Sequence, residues 1–367
     1  MPFASFPVSP SLLRGMTDLG YLETRPIQSA VIPFALAGDD VLASAETGSG
    51  KTIAFVLPIL HRLFGVPDQQ LAGTRALVLA PTRELAVQIE DTVQGLTYHT
   101  SITSAAVYGG VPMDPQDRAL RAGVSIVVAT PGRLMDHMRS GVPDFSRLEV
   151  LVLDEADRMM DMGFWPDVQR IVAALPRERQ TLLFSATLPD EIMKLADAIV
   201  RPDAKYVQVG RAGGPATSIT HTVHAVPAGE KVPWLARFLR AVNGPTLVFV
   251  RRKTAADRVA RELARLGIRA VAMHGDRSQG DRTAAVEGFR SGRYTVLVAT
   301  DLAARGLDID GITHVVNFEV PDSPEAYVHR VGRTGRDRAD GTAVTLVYPE
   351  EARALRALER SVGVQLQ

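Results

Sequence analysis

The sequence predicts an α/β protein of two tandem domains, each a mostly parallel sheet flanked by helices, joined by a flexible linker. Three observations carry this prediction. Short, continuous apolar runs alternate with helical patterns along both halves of the chain. Such runs suit strands buried on both faces, and their alternation with helices implies parallel pairing. The length, 367 residues, corresponds to two or three domains at roughly 100–200 residues each. Finally, the stretch from Gly210 to Ser218 is rich in Gly and Pro and has nothing to bury, so it reads as a linker between the halves.

In chain order, the first domain (1–209) has candidate strands at 41–45, 76–80, 124–129, 148–153 and 181–184. Between them lie helical patterns such as 84–96, where Leu85, Ile89, Val93 and Leu96 share one face. The linker is 210–217. The second domain (218–367) has candidate strands at 246–250, 270–273, 296–299, 314–318 and 342–347, with helices at 255–266 and 281–289 among them. The two halves repeat an architecture, with no short-period sequence repeat.

Composition narrows the function classes. Hydrophobic residues make up 46% and charged residues 22%, an ordinary globular balance that excludes wholesale disorder. Without cysteine there is no disulfide scaffold, thiolate zinc site or cysteine nucleophile. Apolar runs such as 53–60 fall far short of the about 18 residues that cross a bilayer. Prolines near the N-terminus replace the basic segment and apolar core of a secretory signal. A soluble, cytoplasmic protein with no membrane partner is expected. The net charge is zero, yet residues 1–210 hold 18 basic and 24 acidic side chains and residues 211–367 hold 23 and 17. The asymmetry fits a polyanion partner; a base-composition bias accounts for it equally, since only five of the 41 basic residues are lysine.

Ala45-Glu-Thr-Gly-Ser-Gly-Lys-Thr52 follows a predicted strand and opens a predicted helix. It is nearly the phosphate-binding pattern Gly-x4-Gly-Lys-Ser/Thr, with Ala45 replacing the first Gly. Gly48 and Gly50 let the backbone N–H groups of Thr47, Ser49 and their neighbours turn toward an anion, and the helix N-terminus adds its dipole. Lys51 would reach the β/γ-phosphates of ATP, and the Thr52 hydroxyl would hold Mg²⁺. A second strand ends in Asp154-Glu155-Ala156-Asp157. Asp154 suits Mg²⁺ binding, largely through water, and Glu155 suits orienting and deprotonating an attacking water. Three acids in four residues also suit a solvated helix start.

With the phosphate loop, this acidic motif resembles the DEAD-box ATP-dependent RNA helicases, and the resemblance runs from Phe3 to about Thr342. It implies two RecA-like domains, ATP and Mg²⁺ as ligands and RNA as partner. Gly20-Tyr21 and Pro26-Ile27-Gln28 resemble the adenine-reading Q motif, which implies base contacts for Gln28 and stacking for Phe3. Thr24 and Arg25 stand where the family usually has Pro and Thr. Pro81-Thr82-Arg83-Glu84-Leu85-Ala86, Gly109-Gly110 and Thr130-Pro131-Gly132-Arg133 resemble RNA-contacting elements. Hydroxyls, glycine backbones and helix N-termini suit phosphate oxygens, so this RNA binding is expected to be sequence-independent. Ser185-Ala-Thr187 resembles the motif coupling hydrolysis to strand separation, together with Asp157.

In the second half, Leu247 to Arg251, Gly275 with Gln279 and Arg282, and Thr300 match further RNA-binding positions, although Arg252 replaces a hydroxyl residue. Asp308 matches the position that meets the nucleotide sugar. His329-Arg330-Val-Gly-Arg333-Thr-Gly-Arg336 implies arginine fingers at Arg333 and Arg336, with His329 joining the coupling network. Three rival readings remain: a DNA helicase or translocase, an ATP-gated RNA clamp or assembly scaffold, and a small-molecule kinase. The second lobe and its arginine pair weaken the last. The cellular RNA and any protein partner are not readable.

Overall fold

Every candidate strand becomes a strand: most are apolar runs that the sheet buries on both faces, and the run at 270–273 is a half-buried edge strand. The structure is a computed structural model and describes residues 1–45, 48–64, 66, 73–98, 100–188, 190–209, 219–227, 229–304, 309, 311–335 and 340–362. The 210–217 linker lies outside the described residues. The chain divides into two compact units, Met1–Ala212 and Gly213–Gln367.

The first unit contains β1 (Val41–Ser44), β2 (Ala76–Leu79), β3 (Ser104–Val107), β4 (Ile126–Ala129), β5 (Val150–Leu153), β6 (Gln180–Ser185) and β7 (Lys205–Gln208). They form one sheet in the order β3-β4-β2-β5-β6-β1-β7, with every pairing parallel. Alternate side chains leave opposite faces. Val41, Ala43, Val78, Val128, Val152 and Phe184 enter one core, while Leu42, Leu77, Leu79, Val127, Leu151 and Leu183 enter the other. The registers Leu42↔Leu183, Leu153↔Leu183 and Leu79↔Leu153 align the C-terminal strand ends. The loops after β1, β2, β4, β5 and β6 therefore leave one edge of the sheet, where open α/β sheets bind ligands.

The second unit contains β8 (Ile219–Ala225), β9 (Thr246–Phe249), β10 (Ala270–Met273), β11 (Val296–Ala299), β12 (His314–Asn317) and β13 (Gly341–Val347). Its order is β10-β11-β9-β12-β13-β8, again all parallel. Val248, Val298, Val316 and Val344 face one core; Leu247, Phe249, Leu297 and Val315 face the other. Buried Lys231 closes the C-terminal end of β12 and β13: its Nζ donates to the carbonyls of Phe318 (2.9 Å) and Leu346 (3.0 Å) and sits 3.7 Å over the Tyr348 ring. Three strands go beyond the sequence expectation: β3, β7 and β8. Each lies at a sheet edge and is largely half-exposed, so each lacks the continuous apolar run that marks an internal strand.

Candidate functional site

At the β1 edge the chain turns sharply into the helix Lys51–Phe64. Gly48 (φ 81°) and Gly50 (φ 89°) take left-handed conformations open to glycine. Lys51 is buried, and its Nζ donates to the Ala45 carbonyl at 2.8 Å. The helix Pro26–Ala37 packs on Lys51–Phe64 and brings Gln28 to the loop. Gln28 Nε2 donates to the Gly50 carbonyl (2.9 Å), and its Oε1 accepts from the Arg25 backbone N–H (2.7 Å). Arg25 Nη1 donates to the Gly48 carbonyl at 2.7 Å. The residue that departs from the Q-motif pattern thus grips the phosphate loop. Phe3 is buried in the first unit's core, 6.4 Å from the Phe6 ring centroid. Thr47 lies outside the described residues.

Two strands away, β5 delivers the acids. Asp154 is 3% exposed, and its Oδ1 accepts from the Glu155 backbone N–H at 2.9 Å. Burial pushes the Asp154 carboxyl up to about 7; Glu155 and Asp157 add to the rise, while Lys51 and the Glu155 N–H oppose it. Glu155 alone among the described non-glycine residues has a positive φ, 53°. That conformation is uncommon for a side chain of its size, and such strain gathers at functional sites. Arg158, one helical turn on and 1% exposed, ion-pairs with Glu155 through Nη1. Arg158 is not among the residues expected from the sequence; its i,i+3 spacing from Glu155 on a helix is the signal that marks it.

Between these strands, β6 supplies the third element. Asp157 Oδ2 accepts from the backbone N–H groups of Ala186 (3.2 Å) and Thr187 (3.1 Å) and from the Thr187 hydroxyl (3.3 Å). Ser185 Oγ accepts from the Asp157 N–H at 3.2 Å. Asp157, Ser185 and Thr187 therefore form one network, and the Ala45 N–H ties the phosphate loop to Ser185 through a 3.0 Å bond. Ser49 Oγ is buried without a hydrogen bond, a partner that a nucleotide phosphate would supply. The Asp154 carboxyl is desolvated, with the Glu155 N–H on its Oδ1. The residues fit ATP with Mg²⁺, a cation that keeps several waters and takes one or two carboxylates plus phosphates.

The remaining first-unit candidates also lie at this edge. The Arg83 guanidinium lies against Gly110, where an added Cβ would clash with it. Thr82 caps its helix, its Oγ1 accepting from Leu85 N at 3.3 Å. Thr130 precedes the helix Pro131–Arg139, and open space surrounds Gly132. Arg133 is committed internally: Nη1 and Nη2 both donate to the Val111 carbonyl at 3.0 Å. The supports of this loop are not among the residues expected from the sequence. Gln116 donates to the Tyr108 carbonyl at 3.0 Å, and buried His137 meets Asp117 (2.7 Å) and Gln116 (3.2 Å). No local pattern marks them.

In the second unit, Arg251 follows β9 and pairs with Asp322 at 2.8 Å. Gly275 follows β10 near Lys253, half-buried Arg282 lies on the helix Gln279–Arg290, and Thr300 follows β11. Arg330, 2% exposed, organises this edge. It grips Asp301 bidentately (2.6 and 2.7 Å), reaches Asn317 Oδ1 (3.2 Å) and the Glu319 carbonyl (3.2 Å), and lies 5.3 Å over the Phe249 ring. Planar bidentate pairing is the strong form of such contacts. His329 is half-buried on the helix Pro324–Val331, and Arg333 is buried. Arg336, Asp308 and the Gln279 side chain lie outside the described residues.

A phosphate loop, a carboxylate pair and a second α/β domain with an arginine-rich turn define a nucleoside-triphosphate-handling protein of the two-domain class. A family model described as DEAD/DEAH box helicase matches residues 25–195, and one described as helicase conserved C-terminal domain matches residues 230–338. The chain is 41% identical to the ATP-dependent RNA helicase CshA of Listeria monocytogenes, covering 100% of this chain and 69% of that one. It is 40% identical to RhlB of Pseudomonas syringae pv. tomato (98% and 92%) and 43% identical to DeaD of Escherichia coli K12 (99% and 57%), both also named ATP-dependent RNA helicases. Among solved structures it resembles S. cerevisiae Dbp5 bound to RNA and ADP BeF3, at 30% identity and a TM-score of 0.90, covering 100% and 95%. It also resembles Mss116p bound to ssRNA and AMP-PNP, at 27% identity and a TM-score of 0.88, covering 98% and 76%. The chain belongs to the DEAD-box family of ATP-dependent RNA helicases, which are ATP-hydrolysing enzymes, and its two parallel-sheet domains are RecA-like. Among the described residues no helix is long and apolar enough to cross a membrane.

Proposed function

We propose that this protein couples RNA-stimulated ATP hydrolysis to closure of its two domains and to local strand separation of short RNA duplexes or remodelling of RNA–protein complexes in the cytoplasm. The observation that carries the reading is the convergence of the phosphate loop, Asp154–Glu155 and the Asp157–Ser185–Thr187 network at one sheet edge. Thr47 to Thr52 hold the phosphates, Gln28 the base, and Asp308 the sugar; Phe3, expected to stack on the base, is instead buried in the core. Thr52 and Asp154 would hold Mg²⁺, largely through water, and the cation would supply positive charge to the phosphates. Glu155 orients the attacking water and accepts its proton.

The charge that develops on the γ-phosphate calls for a cation beyond Lys51. Arg333 and Arg336 supply it, and an arginine finger contributes roughly 10³–10⁵ in rate. Hydrolysis then requires closure. RNA held by its backbone across Thr82, Arg83, Gly110, Thr130 and Gly132, and across Arg251, Gly275, Gln279, Arg282 and Thr300, favours closure through its differential affinity for that state; Arg133, bonded to the Val111 carbonyl, shapes the loop instead. A closed surface shaped for one bent strand releases the complement once a few base steps are lost, at about 1–2 kcal/mol each by analogy with DNA stacking. Asp157, Ser185, Thr187 and His329 link the two ligands. A strand-displacement assay on a short RNA duplex tests this: strand release should depend on ATP and on Glu155. A long-lived RNA complex with ATP and no strand release would replace the helicase with a clamp.

A further inference from the structure

The positive charge of the second half is not confined to its candidate RNA-contacting motifs. Between Arg237 and Arg269 lie nine basic and two acidic side chains, an excess of seven, against an excess of six for the whole of residues 211–367. Much of that excess sits on one helix face. In Lys253–Arg265 the buried positions are Ala256, Val259, Ala260 and Leu263. Arg258, Arg261 and Arg265 are exposed; at 3.6 residues per turn they fall within an arc of about 60° opposite that buried stripe and span about 10 Å. Arg240 extends the row, because its Nη2 donates to the Leu266 carbonyl at 2.7 Å just past the helix end. Arg237, one turn earlier on the helix Lys231–Ala241, is also exposed.

The carboxylates around this face do not neutralise it. Asp257 pairs with Arg277 (2.6 Å) and Asp276 with Lys253 (2.6 Å); Glu262, half-buried, borders the row. None of the row's arginines has an ion-pair partner among the described residues. Like charges three and four residues apart repel one another along a helix, and a polyanion removes that repulsion.

We propose that Arg258, Arg261 and Arg265, continued by Arg240, form an accessory RNA-backbone site that holds the stretch of strand leaving the sheet edge. RNA is favoured over an acidic protein by where the row begins. The helix starts two residues after Arg251, at the end of β9, where the candidate RNA elements lie. A strand with evenly repeated phosphates leaving that edge meets the arginines in succession. Such contacts read no base. The inference rests on the RNA reading above.

The test uses the full chain, a ten-nucleotide single-stranded RNA, and the same RNA extended at either end by fifteen nucleotides. Replacing Arg258, Arg261 and Arg265 together by Gln touches only exposed positions. The ten-mer affinity and the ATPase rate it stimulates should stay within about twofold of wild type. The extended strand should lose at least tenfold in affinity, and its log–log salt slope should fall by about 2, near 0.7 per lost phosphate contact. Replacing the three by Lys should restore most of that affinity. Unchanged binding of the extended strand overturns the proposal. So does equal weakening of both RNAs, or weakened binding of poly-glutamate with RNA binding unaltered. If the wild type binds neither RNA, the RNA reading itself fails instead.

Discussion

Glu155 combines three properties rarely found on one side chain: a left-handed backbone, burial to 5% exposure and an ion pair to a buried arginine. The arrangement fixes the carboxylate beside Asp154 rather than leaving it to rotate in solvent. Glu155→Gln keeps the shape and removes the proton acceptor. It should retain ATP and RNA binding and lose at least 10²-fold in turnover, the lower end of what a positioned general base contributes, about 10²–10⁴. Equilibrium binding alongside steady-state hydrolysis checks this, and normal turnover contradicts the assignment. Asp154 makes a pH prediction. Its folded pKa, about 7, lies above the ordinary 3.8, so the folded state holds this proton more tightly than the unfolded chain. The stabilisation is complete below about pH 4 and is lost as pH rises through 7. Without nucleotide or Mg²⁺, Asp154→Asn should therefore melt above wild type at pH 8, and the gap should close toward pH 4 in thermal unfolding. A gap independent of pH would reject burial as the source.

At the scale of elements, the phosphate loop is held from outside by a helix start. Gly50 shows how tightly: a Cβ there would sit 2.6 Å from Gln28 Nε2 and 2.9 Å from Arg25 Cδ, on a backbone at φ 89°. Gly50→Ala adds strain of about 1–3 kcal/mol and pushes Gln28 off the loop. Nucleotide affinity should drop at least tenfold in a titration with a fluorescent ADP analogue; unchanged affinity would show that Gln28 and the loop are not coupled. The sequence makes such elements legible to different degrees. Internal strands such as β5 and β11 announce themselves as continuous apolar runs, and the loops that follow them carry the site. Edge strands β3, β7 and β8 do not, since solvent on one side admits Ser, Lys, Thr and His. Long-range partners are hidden for another reason. Arg330 meets Asp301 across 29 residues, and Gln116 meets His137 across 21; both depend on which strands become neighbours, which no local window records. Arg25 could be seen only as a departure from the expected motif; its bond to Gly48 needed the two helices to be packed.

At the scale of the whole molecule, the proposed function divides one chemistry between two units. Met1–Ala212 contains the phosphate loop and the carboxylates, and Gly213–Gln367 contains Arg333 and Arg336. In the proposed function RNA bound by both units would act as the switch, because only ligands with differential affinity shift a conformational equilibrium. The coupling is reciprocal, so ATP should tighten RNA binding by the factor with which RNA tightens ATP binding. The most direct measurement is the ATP hydrolysis rate of the full chain with and without single-stranded RNA, for wild type and for Arg336→Ala. The split-site account predicts strong stimulation of the wild type by RNA, and a variant that still binds ATP and RNA yet hydrolyses at the unstimulated rate. Full stimulation of Arg336→Ala, or a wild-type rate indifferent to RNA, would contradict it.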